Sequence, residues 1–394
     1  MVQAYYPFQE KGGPVTKVPA LARGLTRRGH RVTVLTADLG LGKYTGTRIK
    51  PEHSKWGWKS EQDGVEAIYV STFGHYRALT VNPRVIGFCG VTLRHFDLVH
   101  FFGLYDLLGP VVSYYCRRQG IPYVVEPMGM YRPIDRSVRL KLLWRHSIGN
   151  AFWRGAAQII ATSEMERQEL VEEGVPPGKV FIRYNGIDPQ SCTALPPRGG
   201  FRAKWGISLE QQLVLFLGRL IPRKGADILI EAFAQACPQS ARLVIAGPEG
   251  EPGYREYLER HARESGVDAR VLFTGPVYDE EKKALFVDAD VFALPSRYEN
   301  FANSPAEAMA CGVPVIITDA CGIRSLVEGR AGLVIAPEKE ALAVALRKLI
   351  GDKALYARLK EGCQRVADQL SWDHLVEQME GYYTQALAKS NGDR

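Results

Sequence analysis

Two carboxylates eight residues apart, Glu299 and Glu307, bracket a stretch suited to holding a charged molecule. Between them run Asn300, Phe301, Ala302, Asn303 and Ser304, and after them a short apolar helix ends at Gly312. Ser304 reads as the N-cap, Pro305 as the first helical residue and Glu307 as the far member of a capping box. The amides of Phe301, Ala302 and Asn303 lie just upstream, so unpaired N–H groups gather where a phosphate or another anion would bind. Carboxylates beside such a site make sense if they hold neutral hydroxyls at the ends of a molecule whose middle is anionic. A nucleoside diphosphate sugar has that form. A capping box alone accounts equally well for Glu307, because the pattern is common.

Cations stand in a second loop. Leu213–Leu217 is an apolar strand followed by Gly218-Arg219, then Pro222-Arg223-Lys224-Gly225 and an amphipathic helix over Asp227–Cys237. No Gly-Lys-[Ser/Thr] ending makes this a P-loop. Arg219 and Lys224 nevertheless sit at the mouth of a strand-to-helix turn, where fixed cations can stabilise a departing diphosphate without a metal. Asp288-Ala-Asp290 has the spacing of a metal-binding pair but lies at a helix-to-strand junction, and we expect neither metal nor cofactor. His100 falls near the carboxyl end of the strand Asp97–Phe101, where open α/β sheets bind ligands. It serves equally well as a core histidine. The pair Gly12-Gly13, taken alone, is a tight turn.

These residues need a scaffold of strands alternating with helices. Met1–Tyr6 reads as the tail of a strand, the glycine loop follows, and Val15, Val18, Leu21, Ala22 and Leu25 recur at helical spacing before a strand over Arg31–Thr36. Residues 38–64 show no periodicity and read as an exposed loop, with Trp56 and Trp58 as packing or acceptor-side aromatics, packing being favoured. Tyr123–Glu126 is a buried strand leading into Pro127-Met128-Gly129. Further strands are predicted at Gln158–Thr162, Val180–Tyr184, Arg242–Ala246, Val271–Thr274, Val291–Leu294, Val313–Thr318 and Leu333–Ile335. The result is an α/β protein with two doubly wound, Rossmann-like domains facing across a cleft: residues 1–188, residues 189–370 after a Pro/Gly-rich linker, and a last helix over 371–394 that braces the first domain.

With 394 residues the chain suits two cores. Its 46% hydrophobic and 24% charged residues exclude a disordered chain. No apolar run of about 18 residues implies a membrane span, and the start lacks a signal pattern. Seven scattered cysteines suggest reduced thiols and a cytoplasmic setting. Residues 1–185 hold 25 basic and 15 acidic side chains, a balance of +10, whereas the remainder holds 25 and 28, a balance of −3. A basic first half implies an anionic partner. No nucleic-acid module is present, so an anionic membrane surface or a phosphate-linked acceptor leads. Asp135–Gly155, with Arg136, Arg139, Lys141, Arg145 and Arg154 beside Trp144 and Trp153, reads either as a surface helix packing its Leu/Trp face or as a contact with lipid headgroups.

Glu299, seven intervening residues, Glu307 and Ala-Met-Ala-Cys-Gly-Val-Pro-Val resemble the E-x7-E signature of the family 4 retaining glycosyltransferases. Gly218-Arg219 with Lys224-Gly225 resembles the family's G-R-x4-K-G, and Asn185-Gly186-Ile187-Asp188 its inter-domain N-G-[IV]-D. The resemblance implies the GT-B fold and metal-independent, retaining transfer of a sugar, of the hexosyltransferase class, from a nucleotide donor. The favoured donor is a UDP-sugar, with a GDP-sugar as the other choice. The acceptor is a glycan or lipid-linked molecule in polysaccharide or glycoconjugate synthesis, and the enzyme sits in the cytoplasm or at the inner membrane face.

By the same resemblance Arg219 and Lys224 hold the diphosphate, Glu299 the sugar hydroxyls and Glu307 the ribose diol. The backbones of Gly12, Gly13, Gly218 and Phe301–Ser304 approach sugar and phosphates, and Val277, in Gly275-Pro276-Val277, meets the base. The chain departs from the family's pattern in places: Met128 stands where many relatives have His, Asn300 and Ala302 where they often have Gly, and the first strand is shorter. A GT-B nucleotide-sugar epimerase or hydrolase would share the donor site, and a non-catalytic subunit would keep the fold alone.

Overall fold

The computed structural model describes residues 13–39, 41, 51–76, 79–132, 138–187 and 194–392. The chain divides into two units, one running to Tyr184 and resuming at Trp372, the other Asn185–Ser371. Asn185-Gly186-Ile187 thus goes with the second unit, where the Ile187 amide donates to the Leu370 carbonyl at 2.9 Å. Asp188 lies outside the described residues.

The first unit opens with α1 (Gly13–Arg27), then β1 (Thr33–Ala37), β2 (Glu52–Ser54), β3 (Gly57–Gln62) and β4 (Val65–Val70). The hairpin β5 (Gly74–Tyr76) and β6 (Leu79–Val81) precedes α2 (Arg84–Val91), β7 (Val99–Phe102), α3 (Leu108–Gln119) and β8 (Tyr123–Glu126). After α4 (Val138–His146) and α5 (Ile148–Arg154) come β9 (Gln158–Ala161), α6 (Glu164–Glu172) and β10 (Val180–Ile182). Four strands pair in the order β1-β4-β3-β2, and four parallel strands in the order β10-β9-β8-β7.

Part of the stretch 38–64 is strand and not loop. β3 reads Gly-Trp-Lys-Ser-Glu-Gln and faces water along one side, so apolar alternation is missing. The overlooked sign is Asp63-Gly64, whose φ values of 52° and 74° form the primed turn that closes β3 on β4. Trp56 packs edge-on against Phe88 with ring centroids 6.0 Å apart, and Trp58 stacks on His53 at 3.8 Å. The basic stretch is two helices, broken at Ser147. Trp153 is in the core and Trp144 packs against it.

The second unit contains α7 (Gly200–Lys204), β11 (Leu213–Leu217), α8 (Ala226–Ala236), β12 (Arg242–Ala246), α9 (Tyr254–Glu264) and β13 (Val271–Gly275). It continues with α10 (Asp279–Asp288), β14 (Val291–Leu294), α11 (Asn303–Ala310), β15 (Val315–Thr318), α12 (Arg324–Val327), β16 (Gly332–Ile335), α13 (Lys339–Gly351) and α14 (Lys353–Gln369). Its six strands are all parallel and run β13-β12-β11-β14-β15-β16. The order reverses between β11 and β14, and ligands of such sheets bind beyond the carboxyl ends of the strands at that point. Buried on both faces, β11 (Leu-Val-Leu-Phe-Leu) and β14 (Val-Phe-Ala-Leu) are continuous apolar runs.

α15 (Trp372–Gly392) returns to the first unit. It lies so close to α1 that a Cβ added at Gly24 would stand 2.4 Å from Val376 Cγ2. Tyr382 donates to the Ile182 carbonyl at 2.8 Å.

Candidate active site

Two loops meet at the switch point of the second unit's sheet. After β11 the chain passes Gly218 and the exposed Arg219, turns through Pro222–Lys224 and enters α8 at Gly225. Gly225 has φ 73°, and a Cβ there would lie 2.1 Å from the Pro295 carbonyl oxygen, so only glycine lets the two loops approach. The Arg297 amide and the Ser296 hydroxyl both donate to the Arg223 carbonyl, at 2.8 and 2.9 Å. Arg297 pairs with Asp227 at 3.0 Å on the first turn of α8.

This stitching brings Lys224 Nζ to 2.6 Å from Glu299 Oε1, with both side chains largely buried at 13% and 14% exposure. Ser296 Oγ lies 3.4 Å from the same carboxylate oxygen. Glu299 is fixed through its backbone as well: its amide donates to Ala320 and its carbonyl accepts from Gly322, each at 2.9 Å. Arg219 makes no ion pair with another described residue and stands exposed at the mouth of the same loop.

α11 begins earlier than its sequence suggests. Its N-cap is Ala302, not Ser304, and Ala302 holds φ 76° and ψ 88° with no side chain able to cap. Ser304 lies inside the first turn, so the expected capping box does not form. The cause is tertiary: the Phe301 carbonyl accepts from the Ile323 amide, and Phe301 and Ala302 are both buried. The first-turn amides therefore have no side-chain cap, the condition in which a helix start binds an anion. Asn303 Oδ1 accepts from Asn185 Nδ2 at 2.9 Å.

Without a capping role, Glu307 reaches across to α10, where Lys282 Nζ is 2.8 Å from its Oε1. Lys282 escaped the sequence reading because a lysine among the charges of Asp-Glu-Glu-Lys-Lys carries no distinguishing mark. Gly218, Gly247 and Gly275 adjoin at the ends of β11, β12 and β13. A Cβ at Gly247 would meet the Gly218 carbonyl at 1.9 Å, and the Gly247 amide donates to Gly275 at 2.9 Å. Val277 lies buried just beyond.

Asp288 and Asp290 are occupied structurally. Asp288 is buried and accepts from the amides of Gly199 and Arg202, while Asp290 pairs with Arg202 at 2.9 Å.

The first unit carries a separate buried cluster. Glu126, ending β8, pairs with Lys17 of α1 at 2.8 Å and with Arg183 beyond β10. Burial would raise the Glu126 carboxyl, but Arg183 and Lys17 outweigh it and hold the group at about 2. His100 on β7 is bonded through Nδ1 to the Tyr383 hydroxyl of α15 at 2.7 Å and stacks on Phe102. Burial drives its imidazole down to about 3, against the pull of Glu126, so it is neutral at physiological pH. His100 is thus a packed histidine with its Nδ1 partnered, and the second unit holds Arg219, Lys224, Glu299 and Glu307. Gly13 opens α1, and Gly12 lies outside the described residues. Met128 takes φ 54°, and the Gly129 amide beside it donates to Glu166.

Residues 198–366 match the family described as Glycosyl transferases group 1, and residues 12–186 match the Glycosyl transferase 4-like domain. A D-inositol 3-phosphate glycosyltransferase of Xylanimonas cellulosilytica is 32% identical, over 96% of this chain and 93% of that protein. Sucrose-phosphate synthase from Thermosynechococcus elongatus superposes with a TM-score of 0.73 at 23% identity, covering 96% and 94% of the two chains. Anabaena HepE in complex with UDP-glucose superposes at 0.72 with 22% identity, covering 97% and 98%. The fold is GT-B, and the protein is a glycosyltransferase. Within that class, the chain belongs to the family 4 glycosyltransferases.

Proposed function

We propose that the protein transfers a hexosyl group from a nucleoside diphosphate sugar, preferably a UDP-sugar, to a glycan or lipid-linked acceptor, with retention at the anomeric carbon and without a metal. The contact between Lys224 and Glu299 at the sheet's switch point carries this reading. It supports the reading because a cation suited to a diphosphate stands against a carboxylate suited to sugar hydroxyls, beside the uncapped start of α11. That Anabaena HepE was solved with UDP-glucose supports the choice of base.

In the reaction the bond from the anomeric carbon to the diphosphate oxygen breaks as the acceptor oxygen bonds to the same face. The acceptor's proton passes to the leaving phosphate. Arg219 and Lys224 stabilise the charge that accumulates there, an electrostatic effect that a fixed site provides without reorganisation. Glu299 orients the sugar and Glu307 the ribose diol.

The decisive experiment is a thermal-shift screen of nucleoside diphosphate sugars, followed by NMR of the product's anomeric configuration. Stabilisation by a UDP-sugar and a retained configuration are expected; an inverted product overturns the mechanism, and no stabilisation by any donor overturns the reading.

The protein also works at an anionic membrane surface. Among the described residues no helix is long and apolar enough to cross a membrane. The surface that supports peripheral contact is α4, where Leu143 is 65% exposed and Arg139 is exposed beside Val138. Binding to phosphatidylglycerol vesicles that is lost in Arg139→Glu/Leu143→Ser supports this; binding unchanged by those substitutions sinks it.

A further inference from the structure

We infer that Lys282 is a positioning residue for the ribose of the donor, acting through Glu307; this rests on the proposed role of Glu307 as the ribose ligand. The ammonium of Lys282 lies 2.8 Å from Glu307 Oε1, joining α10 to α11. Three acidic residues precede Lys282 on its own helix, yet its bond runs to another element. Glu280 is taken by Lys283 at 2.8 Å, and Glu281 by Lys204. Lys282 also lies over the Phe286 ring, 5.9 Å from its centroid, which limits where the side chain can swing.

The pair is reachable by a ligand, with 31% and 27% of the two side chains exposed. A carboxylate has room for about four hydrogen bonds. Oε1 can therefore keep its lysine and still accept a hydroxyl, while Oε2 accepts the second hydroxyl of a vicinal diol. Lys282 fixes the rotamer of Glu307, so that both ribose hydroxyls meet acceptors at once. A nucleotide lacking the 2′-hydroxyl would leave one of them unmet, and this discrimination depends on the lysine.

The test is calorimetric binding of UDP, GDP and ADP, each beside its 2′-deoxy analogue, to the full chain and to Glu307→Ala, Lys282→Ala, Lys282→Gln and Lys282→Arg. The wild type should favour the ribonucleotide about tenfold, the worth of one hydrogen bond to a charged group. Glu307→Ala should abolish the preference, the Ala and Gln variants at Lys282 should lose most of it, and Arg should restore it. In turnover, Lys282→Ala should raise the donor KM with kcat little changed. If Glu307→Ala keeps the preference, the reading of Glu307 fails and this inference with it. If Glu307→Ala loses it while both Lys282→Ala and Lys282→Gln keep it, the role of Lys282 alone is overturned.

Discussion

Lys224 and Glu299 are bound to each other, 2.6 Å apart, across the two loops that leave β11 and β14. The groups proposed to hold the diphosphate and the sugar are thus partners of one another. Under the proposed function, a donor would divide the pair, its phosphate going to the lysine and its hydroxyls to the carboxylate.

Lys224→Ala or Glu299→Ala should lower turnover by about 10²- to 10³-fold, the scale for losing one preorganised charge. The orphaned partner is largely buried, so stability should fall by about 1–2 kcal/mol, between the values for exposed and fully buried pairs. Steady-state kinetics and urea denaturation measure the two effects separately.

Ala302 holds a left-handed φ of 76° that glycine adopts without strain. Ala302→Gly should raise stability by about 0.5–1 kcal/mol, since relief of strain exceeds the added freedom of the unfolded chain. Ala302→Val should cost more than about 2 kcal/mol, because a β-branched residue fits that backbone worst and the site is buried. Denaturant midpoints decide both.

The stability of the first unit should fall with acid from near pH 6.5. His100 titrates near 6.5 in the unfolded chain but at about 3 when folded, so below 6.5 the unfolded state binds the extra proton. The stability lost approaches about 1.4 kcal/mol per pH unit within that window. Glu126, held at about 2 against an ordinary 4.5, adds a further loss between those values. His100→Gln should flatten the first part of the curve and leave the second, as read by thermal midpoints from pH 7 to 3.

Chelation should leave turnover unchanged. Asp288 and Asp290 support Arg202, which is itself buried, so Asp290→Asn should weaken the fold without a specific loss of activity. Addition of EDTA during the assay, with a thermal midpoint for the variant, checks the pair of statements.

The second unit was the more legible half. β11, β12 and β14 match their sequence ranges residue for residue, because strands buried on both faces must be unbroken apolar runs. β3 escaped because a strand with one face in water can be built from Trp, Lys, Ser, Glu and Gln. The start of α11 was misplaced by two residues. Ser-Pro-Ala-Glu is a correct local signal, overridden by backbone bonds from residues 299–301 to the segment 320–323. Arg219, Lys224, Glu299 and Glu307 were singled out by spacing along the chain and by resemblance to the family's motifs, and the structure brings Lys224 against Glu299. Lys282 with Glu307, and Lys17 with Glu126 and Arg183, were not, because each joins positions far apart in sequence with no local pattern.

The first unit includes both the opening helix and α15, whose Trp372, Leu375, Val376 and Met379 share a core with Val18, Leu21 and Val34. During synthesis the first unit cannot be completed until α15 has been made, after every residue of the second unit. Until then the part of α1 that packs on α15, around Gly24, has no cover, although its other apolar residues meet β1 and β4. The demand for chaperones, and the risk of aggregation in a slowly translated or prematurely terminated chain, therefore fall on the unit whose sequence begins first.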